Sequence, residues 1–146
     1  MSTPDPQALA IRVVKRMYTN DPFSIWLGIE RVEIAPGRCV LRMIVAKEML
    51  NGFAIAHGGI TYSLADSALA FASNSHGIKS VSIETSISHT RAVKLGDVLI
   101  ANAVEVQRGE RFARYDVKVT GADGKDVALF HGTVFRTGEL WFTDQP

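Results

Sequence analysis

At 146 residues with a formal net charge of +1, the chain can bury roughly two-thirds of the surface its unfolded form exposes, so a single domain over residues 1–146 is expected. Its 16 Lys and Arg and 15 Asp and Glu are scattered, with no basic stripe, which excludes bulk attraction to nucleic acid or an anionic membrane and points to a small-molecule partner. No segment approaches the roughly 18 consecutive apolar residues that span a bilayer, "MSTPDPQALAIRVVKR" lacks a secretory apolar core, and the single Cys39 has no internal disulfide partner, so a cytoplasmic protein is expected.

In chain order, Asp5-Pro6 precedes "QALAIRVVKRMY", where Leu9, Val13 and Met17 recur at helical spacing until Asn20-Asp21-Pro22 stops the run. The pattern then changes to two strands, "GIERVEIA" and "RCVLRMIVA", joined by the turn pair Pro36-Gly37. Cys39 alternates with Leu41, Met43 and Val45, which reads as core filling. "KEMLNGFAIAHGG" has loop character. Residues 60–75 form the one long helical run, with Gly77 placed to close it. Ile60, Leu64, Leu69 and Phe71 spread apolar groups around most of its circumference, and Ala65, Ala68, Ala70 and Ala72 are small, so a sheet is expected to wrap it.

Four strands follow: "KSVSIETSISHTRAV", "DVLIANAVEVQ", "RFARYDVKVTG" and "KDVALFHGTVFRT". In the third, Ala113, Tyr115, Val117 and Val119 alternate with Arg114, Asp116 and Lys118, the period-two signature of a sheet with one wet face. Residues 107–110 and 122–124 carry hairpin turns. The order predicts an α+β fold: an antiparallel sheet of about six strands wrapped around one long central helix, preceded by a short N-terminal helix.

Two features carry chemistry. Asp66 puts a carboxylate inside a nearly apolar helix, where it is either satisfied by the Tyr62 or Ser63 hydroxyl or held as a general base or nucleophile toward a carbonyl. Gly58 and Gly59, after His57, stand where a helix begins; they are either a tight turn or a place where unpaired backbone N–H groups meet a developing oxyanion. Eight residues of helix span about 12 Å, whereas one reacting carbon must lie within about 3 Å of both base and donor. If Gly58 and Asp66 serve one site, a second subunit must supply one of them across a two-fold axis. The four histidines show no ligand spacing with Cys, Asp or Glu, so no metal is expected. There is no Gly-x-Ser-x-Gly elbow, Walker loop or dinucleotide fingerprint. His131, in an alternating strand, reads as a satisfied half-buried histidine.

The stretch "LNGFAIAHGGITYSLADSALAFASNSHG", with "ALFHG" near the end and a strand opening at Gly96-Asp97, closely resembles the hot-dog-fold acyl-CoA thioesterases of phenylacetic acid degradation over nearly the whole chain. That resemblance implies hydrolysis of an aryl-acetyl-CoA (phenylacetyl or hydroxyphenylacetyl) or a medium-chain acyl-CoA to free acid and CoA. It also implies a homotetramer of two dimers with shared sites, and no cofactor beyond the CoA of the substrate. By position it implies that Asp66 is catalytic, that the Gly58 N–H polarises the thioester carbonyl, that Asn51 helps place the carbonyl or the water, and that His57 supports the loop. Gly59, Thr61 and Ser63 line the substrate pocket in this reading, and Arg91 is retained for substrate contact; Arg91, Lys94 and Arg111 either meet the CoA phosphates or are ordinary surface charges. Where relatives commonly have an aromatic residue, one further residue and Arg-Pro before the Gly-Asp strand, this chain has "SHTRAVKLGD", with His89 and Ala92 beside Arg91. The competing readings are a hot-dog hydratase or dehydratase of acyl thioesters and a non-catalytic acyl-CoA-binding module.

Overall fold

The computed structural model describes residues 5–145. Helix α1 (Pro6–Thr19) opens as expected: the Asp5 carboxylate accepts from Gln7 N at 3.1 Å, and Pro6 occupies the first turn, where a missing N–H costs nothing. It buries Ala10, Val13 and Val14 against the rest of the fold. Pro22 ends this run and also begins a second, unexpected helix, α2 (Pro22–Trp26). Asp21 caps it, accepting from Ser24 N at 2.9 Å and from Ser24 Oγ at 2.6 Å. The buried Ser24 hydroxyl also lies 2.9 Å from Ser67 Oγ, which ties α2 to the central helix.

Strands β1 (Glu30–Ala35) and β2 (Arg38–Ile44) form the expected hairpin, with Gly37 at φ 72°, a conformation that favours glycine. The central helix, α3 (Gly58–Asn74), starts two residues earlier than the sequence pattern predicts, so Gly58 and Gly59 belong to its first turn. Gly77, at φ 90°, closes its far end and donates its N–H to Asn74 O at 2.9 Å. Apolar groups all round α3 are explained by its surroundings: it packs against β2, β3, β4, β5 and β6 as well as α1. Leu64, Ala65, Ala68, Leu69, Phe71 and Ala72 join Leu41, Met43, Tyr115, Val117 and Phe130 in one core, and Cys39 is buried there as expected.

The remaining strands are β3 (Ile78–His89), β4 (Val98–Arg108), β5 (Phe112–Gly121) and β6 (Asp126–Leu140). All six form one antiparallel sheet in the order β1-β2-β4-β5-β6-β3. The chain therefore leaves α3 for the far edge, where among the described residues β3 pairs only with β6. β3 stops at His89 rather than at residue 93, because the chain turns back across the loop before α3: Ala56 N donates to Val93 O at 2.7 Å. His131 corrects the sequence reading: it is exposed on the outer face of the sheet, 2.7 Å from Asp116 Oδ1.

Candidate active site

The loop entering α3 is built around Asn51. Its side-chain oxygen accepts from Phe53 N at 2.9 Å and Ile55 N at 3.4 Å, and its backbone N–H donates to Ile55 O at 2.8 Å, closing a compact turn with Ala54 at φ 59°. His57 then caps α3: its Nδ1 accepts from Gly59 N at 3.1 Å, which places the ring proton on Nε2. The Ile60 N–H donates to His57 O at 2.9 Å. With Gly59 and Ile60 satisfied, the Gly58 N–H is left without a partner among the described residues, at the positive end of the helix dipole.

That N–H stands at a cavity of about 420 Å³ lined by Asn51, Gly58, Thr61, His89, Arg91 and Val93, among others. The expected site residues Asn51, Gly58, Thr61 and Arg91 are thus brought together. Arg91 is held at the rim by Asp123, with Nη1 to Oδ2 at 2.8 Å and Nη2 to Oδ1 at 3.1 Å. Gly59 and His57 are exposed and serve the cap, while Ser63 turns its hydroxyl to Gly59 O at 2.7 Å; none of the three lines this cavity. Lys94 lies with Arg91 along a neighbouring groove of about 380 Å³.

Asp66 is elsewhere. It opens into a second cavity of about 280 Å³, shared with Met17, Leu69, Ser73, Ser80, Ser82 and Val134. Half-buried, it has no hydrogen-bond partner among the described residues, and burial pushes its carboxyl above the ordinary carboxylate range. The structural reading of this aspartate is overturned, since Tyr62 OH bonds Thr85 Oγ1 and Ser63 bonds the helix backbone. A carboxylate without partners, made more basic by desolvation and open to a cavity, is equipped to take a proton.

The two cavities share no residue, yet both touch β3: His89 at its end borders the Gly58 cavity, and Ser80 and Ser82 near its start border the Asp66 cavity. His89, Ser80 and Ser82 line these cavities and were not among the residues expected from the sequence. For His89 a signal existed, in the departure of "SHTRAV" from the common pattern. Among the described residues no three His, Cys, Asp or Glu side chains converge in a way that could hold a metal.

Residues 53–128, from the Asn51 turn through α3 and into β6, match the family model of the thioesterase superfamily. The chain belongs to the thioesterase superfamily. As a member it is a thioester hydrolase, which sets aside the dehydratase and binding-module readings. Its fold is the hot-dog fold. Over 122 residues it is 38% identical to acyl-coenzyme A thioesterase PaaI of Escherichia coli K12, covering 84% of this chain and 87% of that protein. The solved structure of the E. coli PaaI protein from the phenylacetic acid degradation operon superposes with a TM-score of 0.91, covering 93% of this chain and 99% of that one at 35% identity. A Streptococcus mutans protein solved bound to acetyl CoA superposes with a TM-score of 0.74 at 30% identity, over 77% of this chain and 90% of that one. Among the described residues no helix is long and apolar enough to cross a membrane.

Proposed function

We propose that this thioesterase hydrolyses an acyl-CoA whose acyl part is aryl-acetyl, such as phenylacetyl or hydroxyphenylacetyl, or medium-chain, at sites shared between two copies of the chain. The placement of the two half-sites at opposite ends of one edge strand carries this reading. β3 is a long unpaired edge with Val81 and Ile83 exposed (55% and 56%), the kind of edge that recruits another strand. Antiparallel pairing of β3 with its own copy about the Thr85–Ser86 midpoint sets Ser82 of one chain opposite His89 of the other. The Asp66 cavity of each subunit then faces the Gly58 cavity of its partner, which resolves the separation of about 12 Å along one helix.

In that site the thioester carbonyl oxygen accepts from the Gly58 N–H, and Asn51 and Thr61 line the approach. Asp66 takes a proton from water while the water oxygen attacks the carbonyl carbon, and negative charge gathers on the carbonyl oxygen. When the tetrahedral intermediate collapses, the C–S bond breaks and CoA leaves as the thiolate, which takes the proton held on Asp66, restoring the base as the acid is released. Arg91, at the rim and already paired with Asp123, offers its remaining donors to the phosphates of CoA. The chain acts as a single catalytic domain in the cytoplasm, with no metal and no cofactor beyond the CoA of its substrate. Exposed Val104, Val106, Phe112 and Phe135 support assembly of two dimers into a tetramer.

Hydrolysis of phenylacetyl-CoA and octanoyl-CoA, followed through the released thiol, tests the reading. Asp66→Asn should lower kcat at least about a hundredfold with KM within about threefold. Asp66→Ala and Gly58→Pro, each inactive alone, should regain about a quarter of wild-type activity when refolded together, because half of randomly paired dimers carry one intact site of two. No recovery, with mixed dimers confirmed by mass and both chains folded, refutes the shared site.

A further inference from the structure

The imidazole of His89 is the second notable group at the Gly58 N–H. Neither of its ring nitrogens is hydrogen-bonded among the described residues, and it lines the same cavity. A Cβ placed on Gly58 would stand 3.2 Å from His89 Nε2 and 3.5 Å from its Cε1, so the ring leans over this glycine by its Nε2 edge. The direction is telling, because a Cα–Cβ vector in a helix tilts toward the N-terminus, the side to which the unpaired first N–H also points.

The distance between the two nitrogens can be bounded. One Cα separates Gly58 N from the Cβ position, a span of about 2.5 Å from ordinary bond lengths and angles. Adding the 3.2 Å to Nε2, the two nitrogens are at most about 5.7 Å apart. Two N–H···O bonds of about 2.9 Å span up to about 5.8 Å, so one oxygen atom can be within hydrogen-bonding distance of both. A single backbone donor is a lean oxyanion site, and a second donor aimed at the same point is what such sites add.

We propose that His89 Nε2–H is the second donor to the thioester carbonyl oxygen, making His89 a catalytic residue of this chain. The proposal rests on the thioesterase reading above. As the water oxygen adds to the carbonyl carbon, the carbonyl π pair moves onto oxygen, and Gly58 N–H and His89 Nε2–H both shorten their bonds to it. The pair returns when the C–S bond breaks, and no proton leaves His89 at any stage. The histidine thus fills with a polar ring the place where an aromatic side chain would offer none.

Steady-state hydrolysis of phenylacetyl-CoA by wild type, His89→Phe, His89→Gln and His89→Leu tests this, with thermal unfolding of each as a check on folding. His89→Phe and His89→Leu should lose about twentyfold or more in kcat with KM within about twofold, as removal of an oxyanion donor does. His89→Gln, whose amide nitrogen reaches about as far as Nε2, should return to within about threefold of wild type. Wild-type kcat in a folded His89→Phe or His89→Leu chain overturns the proposal. An equal loss in His89→Gln overturns it too, by showing that the ring transfers a proton rather than donating a fixed hydrogen bond. A wild-type chain that leaves the thioester intact overturns the underlying reading, and an active one with His89→Phe unchanged overturns this step alone.

Discussion

One added methyl group tests how closely α3 sits on its sheet. Gly132 lies mid-strand in β6, between Thr85 of β3 and Tyr115 of β5, and faces the helix. A Cβ there would come 2.5 Å from Leu69 Cδ2 and 3.1 Å from Cδ1. Carbon atoms in good contact sit about 3.5–4.0 Å apart, so in Gly132→Ala the Leu69 side chain must retreat by about 1 Å. Leu69 is 1% exposed, but it borders the Asp66 cavity of about 280 Å³, which gives it somewhere to go. The expected destabilisation is therefore about 1–2 kcal/mol, the lower part of the overpacking range. In a chain of this length that is a fall of roughly 3–7 °C in Tm. Leu69→Ala alone should cost about 2–5 kcal/mol through its cavity. In the double variant the new methyl group fills part of that cavity, so the two costs should fall short of their sum by about 1 kcal/mol or more. Urea unfolding at one protein concentration, with midpoints compared at constant m, measures all four proteins. Gly132→Ala as stable as wild type, or two costs that simply add, refutes the claim that this contact sets the helix-to-sheet distance.

Stability and activity should part company at Asp66. Burial raises its carboxyl in the folded chain, so the ionised group weakens the fold above that raised value, and the effect disappears below the unfolded carboxylate value of about 3.9, where both states are protonated. Asp66→Asn should accordingly be more stable than wild type at pH 7 and equal to it near pH 3, read from urea midpoints across that range; a less stable Asp66→Asn at pH 7 would mean that the carboxylate has a stabilising partner. Burial pushes the Cys39 thiol up to about 12, so iodoacetamide at pH 8 should leave the native chain unmodified by mass and alkylate it fully in urea. Rapid alkylation of the native chain would show that β2 opens.

The sequence already displayed whatever depends on neighbours along the chain. The long helix was legible because its apolar residues surround it, and the hairpins because Pro36-Gly37 and Asp123-Gly124 carry their own turn geometry. α2 was missed because Pro22 reads equally as a stop and as a first-turn residue, and only the Asp21 carboxylate on Ser24 decides between them. The end of β3 was misplaced because Val93 keeps the alternation after the chain has already turned to meet Ala56. The Asn51, Gly58 and Asp66 positions were visible in the "LNG", "HGG" and "LAD" stretches. That His89 overhangs Gly58, and that Ser80 and Ser82 share a cavity with Asp66, follows from where β3 lies in the sheet, and no local pattern encodes a crossover.

That crossover also orders events in time. β3 is made directly after α3, yet its strand partner is β6, the last strand in the chain. Local hairpins such as β1-β2, β4-β5 and β5-β6 can close quickly, each across a short turn, while β3 must wait for a strand whose paired residues lie 39 to 62 positions further along the chain. Folding is thereby governed by its two non-local pairings, β2 with β4 and β3 with β6. During synthesis an apolar helix and a bare strand are both present before the strand that covers them has been made. A chain cut short before β6 keeps most of its local signals and loses the one pairing that holds β3 against the helix.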